Sequence, residues 1–223
     1  MDLKIKDVAE LLNVAESTIV HWLEEDKIPS YQINEEYRFS RSEIEDWVMR
    51  QKLEFEEQPK EEPKPSNMQF SLYRSIYRGE VFHDLPGQTK EEIIKSTMGH
   101  MARNFDLDAE VLTDLLLDRE QMMSTSLGHG IAVPHTRDFL LDTHFDVIIP
   151  VYPAHPIEYG ALDGQPIHTL FFLFACEDKH HLHLLAKLAH LSANEKTRAF
   201  FQTQPSKERL LEFVKHWESS LSH

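Results

Sequence analysis

Apolar residues in the first fifty positions recur at helical spacing: Val8, Leu11 and Leu12, then Ile19, Val20 and Leu23, then Ile44, Trp47 and Val48. The spacing predicts helices over residues 6–12 and 16–24, joined by a turn at Asn13-Val14-Ala15. A third helix opens at Ser40 and Glu43, a Ser-x-x-Glu capping box. Ile28-Pro29 and Tyr37-Arg38-Phe39 read as short strands around a loop at Asn34-Glu35. The period then stops. Residues 51–67, QKLEFEEQPKEEPKPSN, carry three prolines and five glutamates and read as an extended, solvated linker. From Phe70 onward helices alternate with short apolar runs. Thr89 and Glu92 form a second capping box ahead of Ile93, Ile94, Met98 and Met101, and a further helix is predicted over residues 108–120. Strands are expected at 131–133, 147–152 and 170–175, the last continuous and therefore central, with helices at 181–192, 197–202 and 206–219. The pattern predicts an α/β domain over residues 68–223, a mixed sheet covered by helices. It follows a small, mainly-α winged helix-turn-helix domain over residues 1–50.

Composition narrows the function classes. A net charge of −15 disfavours a general binder of nucleic acid or anionic membrane. The single cysteine, Cys176, cannot form an internal disulfide and suits a reducing cytoplasm. No signal-like segment opens the chain, and no apolar stretch approaches the roughly 18 residues of a membrane span. A cytoplasmic protein with no membrane partner is expected.

The most informative segment is Gly128-His129-Gly130-Ile131-Ala132-Val133-Pro134-His135. Two glycines permit a turn that side chains would block, and three apolar residues read as a buried strand. Pro134 then restricts the backbone on either side of itself. A histidine presented this way is held as a nucleophile must be, attacking through one ring nitrogen while the other is fixed by a hydrogen bond.

Residues 3–50 resemble the excisionase-like, MerR-related winged helix-turn-helix domains, on the run KIKDVAELLNVAESTIVHWLEEDKIPSY…YRFSRSEIEDWV. The resemblance implies that the second helix enters a DNA major groove, with Glu16, Ser17, Thr18 and His21 facing it and Arg38 and Arg41 near the wing. The charge opposes this. Residues 1–50 hold six Lys/Arg against twelve Asp/Glu, and the second helix has no Lys or Arg. DNA contact and protein contact or homodimerisation both stay open for this domain.

Three further blocks, LLLDREQMMSTSLGHGIAVPHTR, ALDGQPIHTLFFLFAC and HHLHLLAKLAHLS, resemble in that order the IIA component of the bacterial sugar phosphotransferase system. The likeness is to the mannitol/fructose type and its nitrogen-regulatory branch, and implies an IIA-type mixed sheet. His135 falls on the family's phosphoacceptor, which takes a phosphoryl group from the histidine phosphocarrier protein. Arg119 matches an arginine able to brace the equatorial oxygens, and Ser124 and Thr125 match hydroxyl donors. His181 matches a second active-site histidine, with His183 as the alternative register. Asp163 in LDGQP serves equally as a turn residue. His129 stands where nitrogen-type relatives usually have Asn, and Thr136 where Gly or Ala is frequent. No metal and no cofactor are implied, because the His180–His183 cluster lacks zinc-like ligand spacing.

The resemblance implies a regulatory phosphocarrier, loaded by the histidine phosphocarrier protein and signalling to a target protein or a IIB domain. Sugar transport by this chain alone is not expected, as it holds no permease-type segment. The alternative is a DNA-binding regulator with a IIA-like sensor domain.

Overall fold

The structure, a computed structural model, describes residues 2–12, 14–33, 36–50, 71–105, 108–136 and 145–221. The expected linker at 51–67 and the turn residues Asn13, Asn34 and Glu35 lie outside the described residues.

The N-terminal domain runs β1 (Asp2–Leu3), α1 (Ile5–Leu12), α2 (Glu16–Glu24), β2 (Tyr31–Ile33), β3 (Glu36–Ser40) and α3 (Arg41–Arg50). Its small antiparallel sheet has the order β1-β3-β2, with Asp2 opposite Ser40 and Tyr31 opposite Arg38. Val8, Leu12, Ile19, Ile28, Phe39, Ile44 and Val48 are buried together. Trp22 and Trp47 pack 5.3 Å apart, and the Trp47 indole donates to the Lys27 carbonyl at 2.6 Å. The strand expected at Ile28-Pro29 lies instead at Tyr31–Ile33. Pro29 has no N–H to give a ladder, so Ile28 serves the core and pairing starts beyond the proline.

The larger domain begins with α4 (Leu72–Arg78) and β4 (Phe82–Leu85), followed by α5 (Lys90–Phe105) and α6 (Ala109–Met122). Next come β5 (Ser126–Gly128), β6 (Ile131–Ala132), β7 (Val147–Pro153) and β8 (Thr169–Phe174), and then α7 (Asp178–Ala193), α8 (Glu195–Gln202) and α9 (Lys207–Ser220). The five-stranded sheet has the order β4-β7-β8-β6-β5. The β4–β7 and β6–β8 pairs are parallel, and β7–β8 and β5–β6 antiparallel. β8 is its middle strand and is buried throughout, which is why TLFFLF shows no polar alternation.

Side chains alternate between the two faces. Val147, Ile149, Leu170, Phe172 and Phe174 pack with Ile93, Met98, Leu112 and Leu116 of α5 and α6. Ile148, Phe171 and Leu173 pack with Leu72, Ile76, Leu184, Leu188, Phe201 and Leu210 on the other side. That second cluster continues into the N-terminal domain, where Val8, Ala9, Ile44 and Val48 belong to it. Both α1 and α3 lie against α7. Coverage from several sides explains why α7 buries His180, His181, His183 and Lys187 as well as its leucines.

Candidate phosphoryl-transfer site

The run ahead of His135 turns through three successive left-handed residues, Gly128 (φ 79°), His129 (φ 54°) and Gly130 (φ 77°). Gly130 is required for two reasons. Its conformation disfavours a side chain, and an added Cβ would lie 2.4 Å from the His168 ring. Asp163 secures the turn from outside, accepting the His129 N–H at 2.6 Å and the Gln165 N–H at 3.1 Å. Beyond the turn, β6 pairs with β8, and the Pro134 carbonyl accepts the Leu173 N–H at 2.9 Å. His135 is therefore delivered just beyond β6, which is paired on both sides, to β5 and to the middle strand β8.

The His135 Nδ1–H donates to the Val133 carbonyl at 2.7 Å, which turns Nε2 toward Glu45 and His181. His181 meets it edge-on, with ring centroids 4.9 Å apart. Burial first, then the charges of His135, Arg41 and Arg119, push His181 down to about 3 against the pull of Glu45, so its ring is neutral. His183 points elsewhere. It meets the Glu10 main chain of α1, and burial and Lys187 hold it near 3.

Arg119, from the last turn of α6, donates to the Met123 carbonyl at 3.1 Å and to Asp46 at 3.2 Å. Its Nε lies 3.7 Å from Glu45. Glu45 closes the group, with its Oε1 2.6 Å from His135 Nε2 and 3.8 Å from His181 Nε2. Burial alone would raise the Glu45 carboxyl. The His135 hydrogen bond and the charges of His135, His181 and Arg119 outweigh burial and hold it well below the carboxylate range. His135 is 0% exposed, His181 2%, Arg119 4% and Glu45 0%.

The expected hydroxyl donors are engaged elsewhere. Thr125 is buried, donating to Glu120 Oε2 at 2.6 Å while its N–H reaches the same carboxylate, so it braces the strand. The Ser124 hydroxyl donates to the Tyr159 carbonyl at 3.4 Å. In the N-terminal domain Ser17 and His21 are exposed, whereas Thr18 is 7% exposed and packs inward, correcting its expected place facing a groove. Arg38 pairs with Glu36 at 2.6 Å along its own strand. Arg41 directly follows β3, so it lies next to the wing, as expected. It opens α3 and pairs with Asp178 of α7 at 2.6 Å.

Glu45, Asp46 and Asp178 were not anticipated. The only local signal is that Arg41 and Glu45, four apart, share a helix face with the apolar Val48. Among the described residues, two clusters bring three candidate metal ligands within reach of one another, Glu45–His135–His181 and Asp146–Cys176–His180. In the first, the Arg119 guanidinium already supplies the positive charge. In the second, His180 hydrogen-bonds Asp146 at 2.9 Å, and burial and Asp146 push the Cys176 thiol up to about 11, which disfavours the thiolate a metal needs.

The sequence model for the phosphoenolpyruvate-dependent sugar phosphotransferase system, EIIA 2, matches residues 76–217, the stretch that supplies Arg119, His135 and His181 but not Glu45 or Asp46. The chain belongs to that family. A helix-turn-helix domain model matches residues 3–52. The IIA domain is similar to the nitrogen regulatory protein of Pseudomonas aeruginosa, 30% identical over 146 residues, covering 64% of this chain and 94% of that protein. Its Escherichia coli counterpart is 31% identical over 135 residues, 60% of this chain and 82% of that protein. Among solved structures, the nitrogen regulatory protein IIA-Ntr of Neisseria meningitidis superposes with a TM-score of 0.58 at 24% identity, over 64% of this chain and 97% of that one. The Escherichia coli mannitol IIA domain gives 0.50 at 20% identity, over 60% and 95%. These superpositions establish the IIA fold. Among the described residues no helix is long and apolar enough to cross a membrane.

Proposed function

We propose that this chain is a regulatory phosphocarrier of the cytoplasm whose His135 Nε2 accepts a phosphoryl group from the histidine phosphocarrier protein. One observation carries the reading. The Val133 carbonyl holds the Nδ1–H, so the ring presents Nε2 in a fixed orientation beside a guanidinium and a neutral second imidazole. In the transfer, the Nε2 lone pair forms the new N–P bond as the donor's N–P bond breaks. The departing donor imidazole recovers its electron pair. Arg119 balances charge on the equatorial oxygens, and His181 hydrogen-bonds one of them. Nitrogen regulatory proteins among the relatives support a signalling output, and a solved complex of mannitol IIA with phosphorylated IIB supports a phosphorylated protein as partner.

The test is acid-labile phosphate on the purified chain after incubation with phosphoenolpyruvate, enzyme I and the phosphocarrier protein. Wild type should be labelled and His135→Ala should not. An unlabelled wild type, with donors that load another IIA domain, counts against the proposal.

The helix-turn-helix match favours one second reading, a DNA-binding regulator. The exposed face of α2 offers Glu16, Ser17, His21 and Glu24 and no cation, while Arg38 and Arg41 are paired with carboxylates. A mobility-shift assay on genomic fragments at low salt separates the two readings.

A further inference from the structure

The side chains that would handle a phosphoryl group are buried, and a second protein cannot deliver one to a buried nitrogen. What covers them is the chain's own N-terminal domain. Helix α3 lies over the site and places the Glu45 carboxylate 2.6 Å from His135 Nε2, within the Arg119 guanidinium's field. A carboxylate that close to a ring nitrogen shares a proton with it. With the Nδ1–H already given to Val133, the Nε2 side of the ring is engaged by Glu45 whichever atom carries the shared proton, and is closed to a phosphorus atom.

The contact is specific along its whole length. Asp46 takes the second arm of Arg119 at 3.2 Å. In the opposite polarity, Arg41 pairs with Asp178 on the IIA side at 2.6 Å. His183 meets the Glu10 main chain under α1, and an apolar cluster runs unbroken from Val8 and Ile44 to Leu184 and Leu188.

We propose that the helix-turn-helix domain is an intramolecular competitor of the phosphoryl donor, with Glu45 occupying the position of the phosphoryl group, so that domain docking and His135 phosphorylation exclude one another. The proposal rests on the phosphoacceptor reading of His135. The exclusion works in both directions. While α3 is docked, the donor cannot reach Nε2 and Nε2 cannot attack. Once phosphorylated, His135 carries about two negative charges where Glu45 and Asp46 would have to return, and the phosphorus occupies the place of Glu45 Oε1. Phosphorylation therefore releases α1, α3 and the guanidinium of Arg41 into solvent. That release is the signal, and a partner that binds the freed surfaces favours phosphorylation by the same factor.

The experiment compares the full-length chain with Arg41→Glu and Glu45→Lys. Neither position contributes to the N-terminal core of Val8, Ile19, Phe39 and Val48. Small-angle scattering reads docking and radiolabelled phosphoenolpyruvate reads the rate of phosphorylation. The unphosphorylated wild type should be compact and slowly labelled. Both variants should be expanded and labelled about tenfold faster or more, because the wild-type rate is scaled by its fraction of open molecules. Hydrogen exchange of the wild type covers the case in which a variant does not fold. The amides of α1 and α3 should lose protection on phosphorylation, and unchanged protection in fully phosphorylated protein overturns the proposal. Equal labelling of compact wild type and expanded variants overturns the gate alone. No label on any chain counts against the phosphoacceptor reading, and the gate falls with it.

Discussion

Replacing Glu45 with Ala should weaken the hold of the N-terminal domain on the IIA domain, by an amount the geometry bounds. Glu45 faces a ring nitrogen at 2.6 Å and a guanidinium at 3.7 Å, with no solvent exposure on either side of the His135 pair. Removing one member of a buried ion pair costs about 3–5 kcal/mol, since the remaining charge stays desolvated without compensation. Arg119 would keep Asp46 and the Met123 carbonyl. The loss therefore falls mainly on His135, and the low end applies. About 3 kcal/mol is a factor of roughly a hundred in the docking equilibrium. Urea unfolding followed by tryptophan fluorescence reads this in a Trp217→Phe background, where Trp22 and Trp47, packed together in the N-terminal domain, are the remaining tryptophans. The variant should show an earlier transition for that signal. Glu45→Gln, which keeps an acceptor for the Nε2–H, should lose about half as much. In a double-mutant cycle with His135→Ala, the coupling should lie at about 1–3 kcal/mol. A change under about 0.5 kcal/mol for Glu45→Ala would show that the Glu45–His135 contact does not hold the domains together.

Other consequences can be checked separately. Gly130→Ala should cost about 2 kcal/mol or more and slow phosphorylation, from a left-handed φ and a 2.4 Å encounter with His168. Gly99→Ala, on a helix with nothing within 4 Å of the added Cβ, should instead stabilise by about 0.5–1 kcal/mol in the same melt. Burial raises the Glu120 carboxyl above 4.5, outweighing its hydrogen bonds from Thr125, so the fold holds that proton more tightly than the unfolded chain does. The resulting stabilisation is present at low pH and is lost as pH rises through the raised value. The stability of Glu120→Gln relative to wild type should therefore climb as pH rises above 4.5 in denaturation series. Glu218 accepts from the Leu72 and Tyr73 N–H groups and from buried Lys187 at 2.9 Å. Glu218→Ala should lower stability by about 3 kcal/mol in calorimetry, and the additional change Lys187→Met should recover part of it.

Much of the site could be read in the chain because its determinants are local. The turn before His135 needs glycine, the strand after it needs apolar residues, and both lie within eight positions. The periodicity over residues 16–24 coincides with α2, and the unbroken apolar run near residue 170 is the middle strand. Where the determinants are not local, reading failed. In β4, Phe82-His83-Asp84-Leu85 has no apolar run, its register shifts, and Asp84 takes a left-handed φ of 51°. The hydroxyl of Thr125 suits a phosphoryl donor, yet a carboxylate five residues earlier takes it. Glu45 reads as an ordinary solvated charge beside Ile44. Its partner His135 lies ninety residues away, and Arg41 and Asp178 are 137 apart. Helical spacing records which residues share a face, but not which other domain that face will meet.

The most direct test of the account is the position of the phosphoryl group. Long-range nitrogen–proton correlation spectra of the phosphorylated, isotope-labelled chain distinguish the two ring nitrogens of each histidine. Phosphorus is expected on Nε2 of His135, with Nδ1 still protonated against the Val133 carbonyl and the His181 ring neutral. Phosphorus on Nδ1 of His135, or on any other histidine, would contradict this placement.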